Sequence, residues 1–220
     1  MKRVLTKFIK IIAIYLLIMS SVCAEKLMVF DFTEEELNSL EVRKVRGADA
    51  KTLYSIGNNE NGSYLKAVAE NAASGVGKEI KINLDKTPFI NITWKIEKDL
   101  KGIKENTKKG HDFAARVFVI KKTGATPLSN RAINYVFSSN SNVGETWPSP
   151  YTKKSIDSVL ASTKSNLNEW VTVKANVKED FKKFHDLDVE ELSGIAIMAD
   201  TDNSKLTAVS YYQNIFFSSE

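Results

Sequence analysis

From Glu25 onward the chain repeats one pattern, a short run rich in β-branched and aromatic residues followed by a polar break. The runs are Lys26–Phe32, Lys51–Ser55, Ser63–Glu70, Glu79–Leu84, Phe89–Glu97, Asp112–Lys121, Ala132–Ser139, Trp170–Val177, Gly194–Ala199 and Thr207–Ser218. The breaks include Gly57–Gly62, Gly75-Val76-Gly77, Lys109-Gly110 and Asp200–Asn203. Many short strands at such spacing predict an all-β sandwich, and no fixed-period repeat or heptad competes with that reading. No break is long enough to divide the chain, so residues 25–220 are expected to form a single domain.

Helices are expected to be minor. Thr33-Glu34-Glu35-Glu36 has the capping-box pattern and opens a short helix through Leu40. Asn176 can cap a second helix across Lys178–Phe184, with Phe181 and Phe184 on one face, and a third short helix or turn is expected at Ser155–Leu160. Ser138–Pro150 reads as the longest irregular stretch, and long loops in compact domains often carry function.

The N-terminus has a different character. Lys2, Arg3, Lys7 and Lys10 precede the apolar run Ile11–Met19, and Val22 and Ala24 stand where a signal peptidase requires small residues. Residues 1–24 therefore read as an export signal cleaved after Ala24. Nine apolar residues at about 1.5 Å each cover only about half of a membrane's ~30 Å hydrocarbon core, so no stable span is expected after cleavage. A lipid anchor on Cys23 is the alternative, and Ser20-Ser21-Val22 fits a lipobox poorly. Periplasmic localisation is expected, with secretion and lipid anchoring as lesser readings. Cys23 is the only cysteine, so a chain starting at Glu25 has no disulfide or thiolate chemistry. The same segment explains the charge. The chain carries 31 Lys+Arg against 27 Asp+Glu, and all four excess bases lie before residue 25. A neutral body lacks the positive footprint of a nucleic-acid binder.

Within Phe113–Ile120 both alternating faces are largely apolar, which predicts a central strand covered on both sides. Arg116 then sits in partly buried surroundings and requires an acidic partner. Asp112 on the same face, Asp200 and Asp202 are the candidates, and the pairing reads first as structural.

Several strings in sequence order resemble the bacterial family DUF3047: Ala72–Gly75, Ile92–Ile96, Asp112–Val119, Ala132–Phe137, Pro150–Thr152, Glu169–Val171, Glu179–Phe181, Gly194–Asn203 and Ala208–Phe217. The resemblance implies an exported β-rich protein and carries no chemistry with it. Two departures stand out. His111-Asp112 occupies the place of two acids, and Gln213-Asn214 that of a Gly-Asp pair. The closing Tyr212-x-x-Ile215-x-Phe217 also looks like the last strand of jelly-roll carbohydrate-binding modules, and the expected fold is a jelly-roll-like antiparallel β-sandwich with one to three short helices.

Candidate site residues follow from chemistry. Asp200, Asp202 and Asn203 place three oxygen-bearing side chains within four residues, which suits calcium, although Lys205 stands where an EF-hand loop has Gly and the closing Glu is missing. Such residues also build ordinary turns. Trp147 and Tyr151 lie in a Pro-flanked loop and could stack on a sugar ring. Trp94 and Trp170 sit in strands and read as core. Asp112, Arg116 and Tyr212 complete the candidate ligand-binding set. Of the two histidines, His111 could be oriented by neighbouring Asp112, and His185 reads as solvated. No nucleophile elbow, zincin or phosphate-loop motif occurs. The expected function is non-enzymatic binding of an envelope ligand such as a glycan. The alternatives are a hydrolase using carboxylates such as Asp112, Asp180, Asp200 and Asp202, or an envelope scaffold.

Overall fold

The computed structural model describes residues 25–126 and 129–220, so the segment read as an export signal lies outside the described residues. Among the described residues, thirteen strands form two sheets packed face to face. The first sheet runs β11 (Val171–Asn176), β6 (Phe89–Lys98), β13 (Thr207–Ser218), β4 (Gly62–Glu70) and β3 (Leu53–Asn59). In it β13 pairs with β4 over Thr207–Tyr212 and with β1 (Lys26–Met28) over Phe216–Ser218. The second runs β2 (Val42–Lys44), β5 (Ala73–Asn83), β12 (Glu191–Asp200), β7 (Ala115–Lys121), β8 (Arg131–Ser138), β10 (Thr152–Ser162) and β9 (Thr146–Ser149). All pairings are antiparallel except β8 with β10, so the second sheet is mixed and not wholly antiparallel.

Period-two alternation builds the core between the sheets. Ile90, Ile92, Trp94 and Ile96 of β6 point inward and are fully buried, while Thr93, Lys95 and Glu97 face outward. Across the sandwich, Ala115, Val117 and Val119 of β7 are equally buried, and β7 lies between β12 and β8 as a central strand. The Trp94 and Phe137 rings meet at 5.5 Å across this interior.

Helices α1 (Glu34–Ser39) and α3 (Val177–His185) start at the expected caps. Thr33 Oγ1 accepts from Glu36 N, and the Glu36 carboxylate reaches back to the N–H groups of Asp31 and Phe32. Asn176 Oδ1 accepts from Glu179 N, and Phe181 is fully buried beneath α3. The third short helix, α2, lies at Thr163–Asn166.

Three sequence expectations change. Ser155–Leu160 is strand β10 and not helix, because β8 offers it a ladder along one side and β9 along the other. The Ser138–Pro150 stretch contains β9. Gly75-Val76-Gly77 lies inside β5, where the glycines admit close approach. A Cβ on Gly77 would meet Ile195 O at 2.6 Å and Ala196 Cβ at 2.7 Å.

Candidate functional site

Arg116 projects from β7 onto the outer face of the second sheet, and the segment before that strand folds back over it. Its guanidinium is 4 % exposed and forms a two-pronged pair with Asp200 at the end of β12. Nε donates to Asp200 Oδ1 at 2.9 Å and Nη2 to Oδ2. Asp200 Oδ1 also accepts from Phe113 N at 3.2 Å, and Asp200 N donates to Phe113 O at 3.1 Å. The Phe113 and Phe118 rings flank the guanidinium at 5.0 and 5.5 Å. Burial pushes the Arg116 pKa below its usual value, and the charges of Asp157 and Asp112 oppose that.

Asp112 is fully buried and organises the turn after β12. Its Oδ1 accepts from Asn203 Nδ2 at 2.9 Å and Asn203 N at 3.2 Å, and its Oδ2 from Ser204 N at 2.6 Å. Asn203 Oδ1 accepts from the Tyr151 hydroxyl at 2.6 Å, which also lies 3.1 Å from Lys108 O. Tyr151 is 56 % exposed, and its ring meets His111 edge-on at 5.5 Å. Burial, then the charges of Asp202 and Asp112, raise the Tyr151 pKa. Asp202 is partly buried, and burial first, then the Asp112 charge, hold its carboxyl above its ordinary range.

The expected residues thus share one neighbourhood in unequal settings. Arg116 pairs with Asp200, while Asp112, Asp202 and Tyr151 converge on Asn203, and the two groups adjoin through Phe113 N, which follows Asp112 and donates to Asp200. Trp147 lies on β9 and stacks on Phe113 at 6.5 Å, with Nε1 buried and lacking a hydrogen-bond partner among the described residues. Tyr212 stands behind the sheet. It is fully buried in the core, donates to Met198 O at 2.8 Å and accepts from Arg116 N at 3.1 Å, which leaves it no face for a ligand. Trp170, read as core, lies instead on the outer face of the first sheet with Tyr64 and Tyr211.

Carboxylate oxygens of Asp112, Asp200 and Asp202 lie within 4.8 Å of one another. The two buried ones fit a hard cation poorly as arranged. Asp200 faces a guanidinium, Asp112 is filled by three N–H donors, and Asn203 offers Asp112 its nitrogen. The same commitments leave Asp112 and Asp200 no free oxygen pair to place on either side of a glycosidic bond.

The histidines are bound differently from expectation. His111 donates through Nε2 to Asp157 Oδ2 at 2.8 Å, not to Asp112, and Asn134 Nδ2 holds Asp157 Oδ1 at 2.7 Å. His185 is half-buried against Ala132 O at 3.0 Å, and burial lowers its pKa. Asp157 escaped the sequence reading because its segment was assigned as helix or turn. Glu105 was also missed. It is buried and accepts from Ser138, Ser139 N, Asn140 and Ser141, fixing the loop after β8. The alternation of polar Asn134 between inward Ile133 and Tyr135 was the one available signal for this outer-face cluster.

Beside Tyr151, the segment after β6 and the turn after β12 enclose a cleft of about 280 Å³. Thr107, Lys104, Lys109, Gly110, Asn203 and Ser204 line it. A Cβ on Gly110 would meet Lys104 O at 2.6 Å, so this glycine lets the segment close on itself.

Two packed sheets with this topology define a jelly-roll β-sandwich, here carrying a buried Arg–Asp pair and a polar cleft at one end. The fold is similar to the family 30 carbohydrate-binding module of a cellulosomal cellulase of Clostridium thermocellum. The TM-score is 0.52 at 7 % identity, over 89 % of this chain and 98 % of that one. A family 11 carbohydrate-binding module from the same organism gives 0.45 at 13 % identity, over 90 % and 95 %. The xyloglucanase domain of NopAA from Sinorhizobium fredii gives 0.44 at 10 %, over 80 % and 92 %. No curated protein matches in sequence. The chain belongs to the DUF3047 family, described as proteins of unknown function, whose model matches residues 38–216.

The family departures now have positions. His111 is the partner of Asp157. Asn214 takes a left-handed φ of 49° at the bulge where β13 shifts register against β6, away from the Arg116 network. Among the described residues, no helix is long and apolar enough to cross a membrane.

Proposed function

We propose that the protein is an exported, non-enzymatic carbohydrate-binding β-sandwich whose ligand seats at the cleft beside Tyr151. The observation that carries this reading is the setting of that ring. It is 56 % exposed, yet its hydroxyl is fixed by Asn203 and Lys108 O and its edge rests on His111. An exposed aromatic held in place before binding stacks on a pyranose at little entropic cost, and polar groups of the adjoining cleft are available for the sugar hydroxyls. In this reading Asp112, Arg116 and Asp200 shape the site from beneath and do not touch the sugar.

A glycan array with the purified protein tests the proposal. Tyr151→Ala is expected to weaken any sugar found by about tenfold or more, equivalent to about 1.4 kcal/mol, with little change in melting temperature. Binding that is indifferent to Tyr151 would refute the assignment.

A further inference from the structure

The opposite face of the molecule carries a second aromatic surface. On the outer face of the first sheet, Tyr64 of β4, Tyr211 of β13 and Trp170 immediately before β11 form a cluster. Tyr64 and Tyr211 meet at 5.5 Å, Trp170 and Tyr211 at 6.1 Å, and Tyr64 and Trp170 at 6.0 Å. Strands β4 and β11 are three places apart in the sheet, so their backbones are separated by roughly 14 Å at ordinary strand spacing. Rings that close to 6.0 Å across such a span lean toward one another over Tyr211, which is left 7 % exposed while Tyr64 and Trp170 remain half-buried. Gly57, paired with Tyr64, makes room for this, since a Cβ there would stand 2.5 Å from the Tyr64 ring. The Tyr211 hydroxyl is anchored on Glu97.

Lysines are interleaved with these rings. Lys95 Nζ lies 4.3 Å from the Tyr211 centroid and 5.5 Å from that of Trp170, and Lys66 lies 5.5 Å from Tyr211. Farther along the same face Lys174 covers Phe89 at 5.0 Å and Lys26 covers Phe216 at 3.9 Å. On β4 and β6 the outward acids are Glu97, already engaged by Tyr211, and Glu70 at the far end of β4, and Glu169 precedes Trp170 in the chain. The face is therefore locally basic on a body that is neutral as a whole.

We propose that this face binds an acidic oligosaccharide chain, at a site separate from the Tyr151 cleft. Half-exposed rings accept pyranose C–H faces, while lysines spaced among the rings pair with carboxylates carried one per sugar unit. The neighbouring Thr93 and Thr172 hydroxyls, 2.8 Å apart and exposed, offer hydrogen bonds to sugar hydroxyls. A nucleic acid also carries one charge per unit, but its binders present a positive footprint over the domain, whereas this body is neutral as a whole.

Titration of the purified protein with hexamers of galacturonate and of mannuronate, followed by Trp fluorescence and calorimetry, tests this, with cellohexaose and polyuridylate as comparisons. At least one uronate hexamer is expected to bind about tenfold or more tightly than cellohexaose at this face. Lys95→Gln and Trp170→Ala are each expected to weaken it by about tenfold, whereas Tyr151→Ala leaves it unchanged. Lys95→Gln keeps the rings in place and so guards against misfolding of Trp170→Ala. Failure of both uronates to bind would overturn the proposal. Binding indifferent to both substitutions, or polyuridylate binding as tightly as the uronates, would overturn it as well.

Discussion

At the scale of single residues, the energetics centre on Arg116. Its charge is withdrawn from water and paired with Asp200, itself nearly fully buried, while the charges of Asp157 and Asp112 add support. Removing one member of such a pair strands the other, so Arg116→Ala should lower unfolding free energy by about 3–5 kcal/mol in denaturant titrations. Arg116→Lys should not restore it, because an ammonium cannot reproduce the two-pronged geometry. Asp202 gives a prediction of opposite sign. Its carboxyl is held above its ordinary pKa by burial and by Asp112, so the folded state binds its proton more tightly than the unfolded state does. The stability it contributes is present in acid and fades as pH rises through the raised pKa. Asp202→Asn should therefore be at least as stable as the parent at neutral pH and should flatten the fall of melting temperature between acid and neutrality. The need of Arg116 for an acid was legible in the sequence from two apolar faces around one guanidinium. Which acid answered it was not, because Asp112, Asp200 and Asp202 are equivalent until β12 is placed beside β7.

At the scale of elements, close contact between β5 and β12 depends on glycine. Gly77→Val would drive a branched side chain against Ile195 O and Ala196, and a cost of about 1–3 kcal/mol, read as a drop in denaturation midpoint, is the expected result. This is also where the sequence misled. Gly75-Val76-Gly77 has the composition of a break, yet β12 and β2 flank it and the missing side chains become an asset. Ser155–Leu160 has little intrinsic bias, and ladders with β8 on one side and β9 on the other make it a strand. Caps were read correctly at Thr33 and Asn176 because a cap is a hydrogen bond within a few residues of chain. Trp170 was misplaced because being hydrophobic in a strand says nothing of which face points outward. That depends on Val171, not Trp170, standing opposite inward-facing Trp94.

At the scale of the whole molecule, Glu25, the first described residue, is held against the end of the last strand. Glu25 N donates to Ser219 Oγ at 3.2 Å, Ser219 N donates to Glu25 O at 3.1 Å, and Lys26 opens β1 against the last strand. Cleavage after Ala24 would leave these contacts intact, and N-terminal sequencing of the exported protein is expected to start at Glu25. Retention of the leader would contradict this. The sandwich itself was written in the sequence, since period-two alternation and polar breaks are local properties that every strand carries with it. The neutral body was equally plain, because net charge needs no structure. Tertiary packing alone decided that Asp200 and not Asp112 pairs with Arg116, and that His111 turns to Asp157. It also decided that Tyr212 is spent inside the core, and that three rings and their lysines gather on one outer face. Each of these joins residues far apart in the chain, and only strand order and register bring such residues within hydrogen-bond or stacking distance.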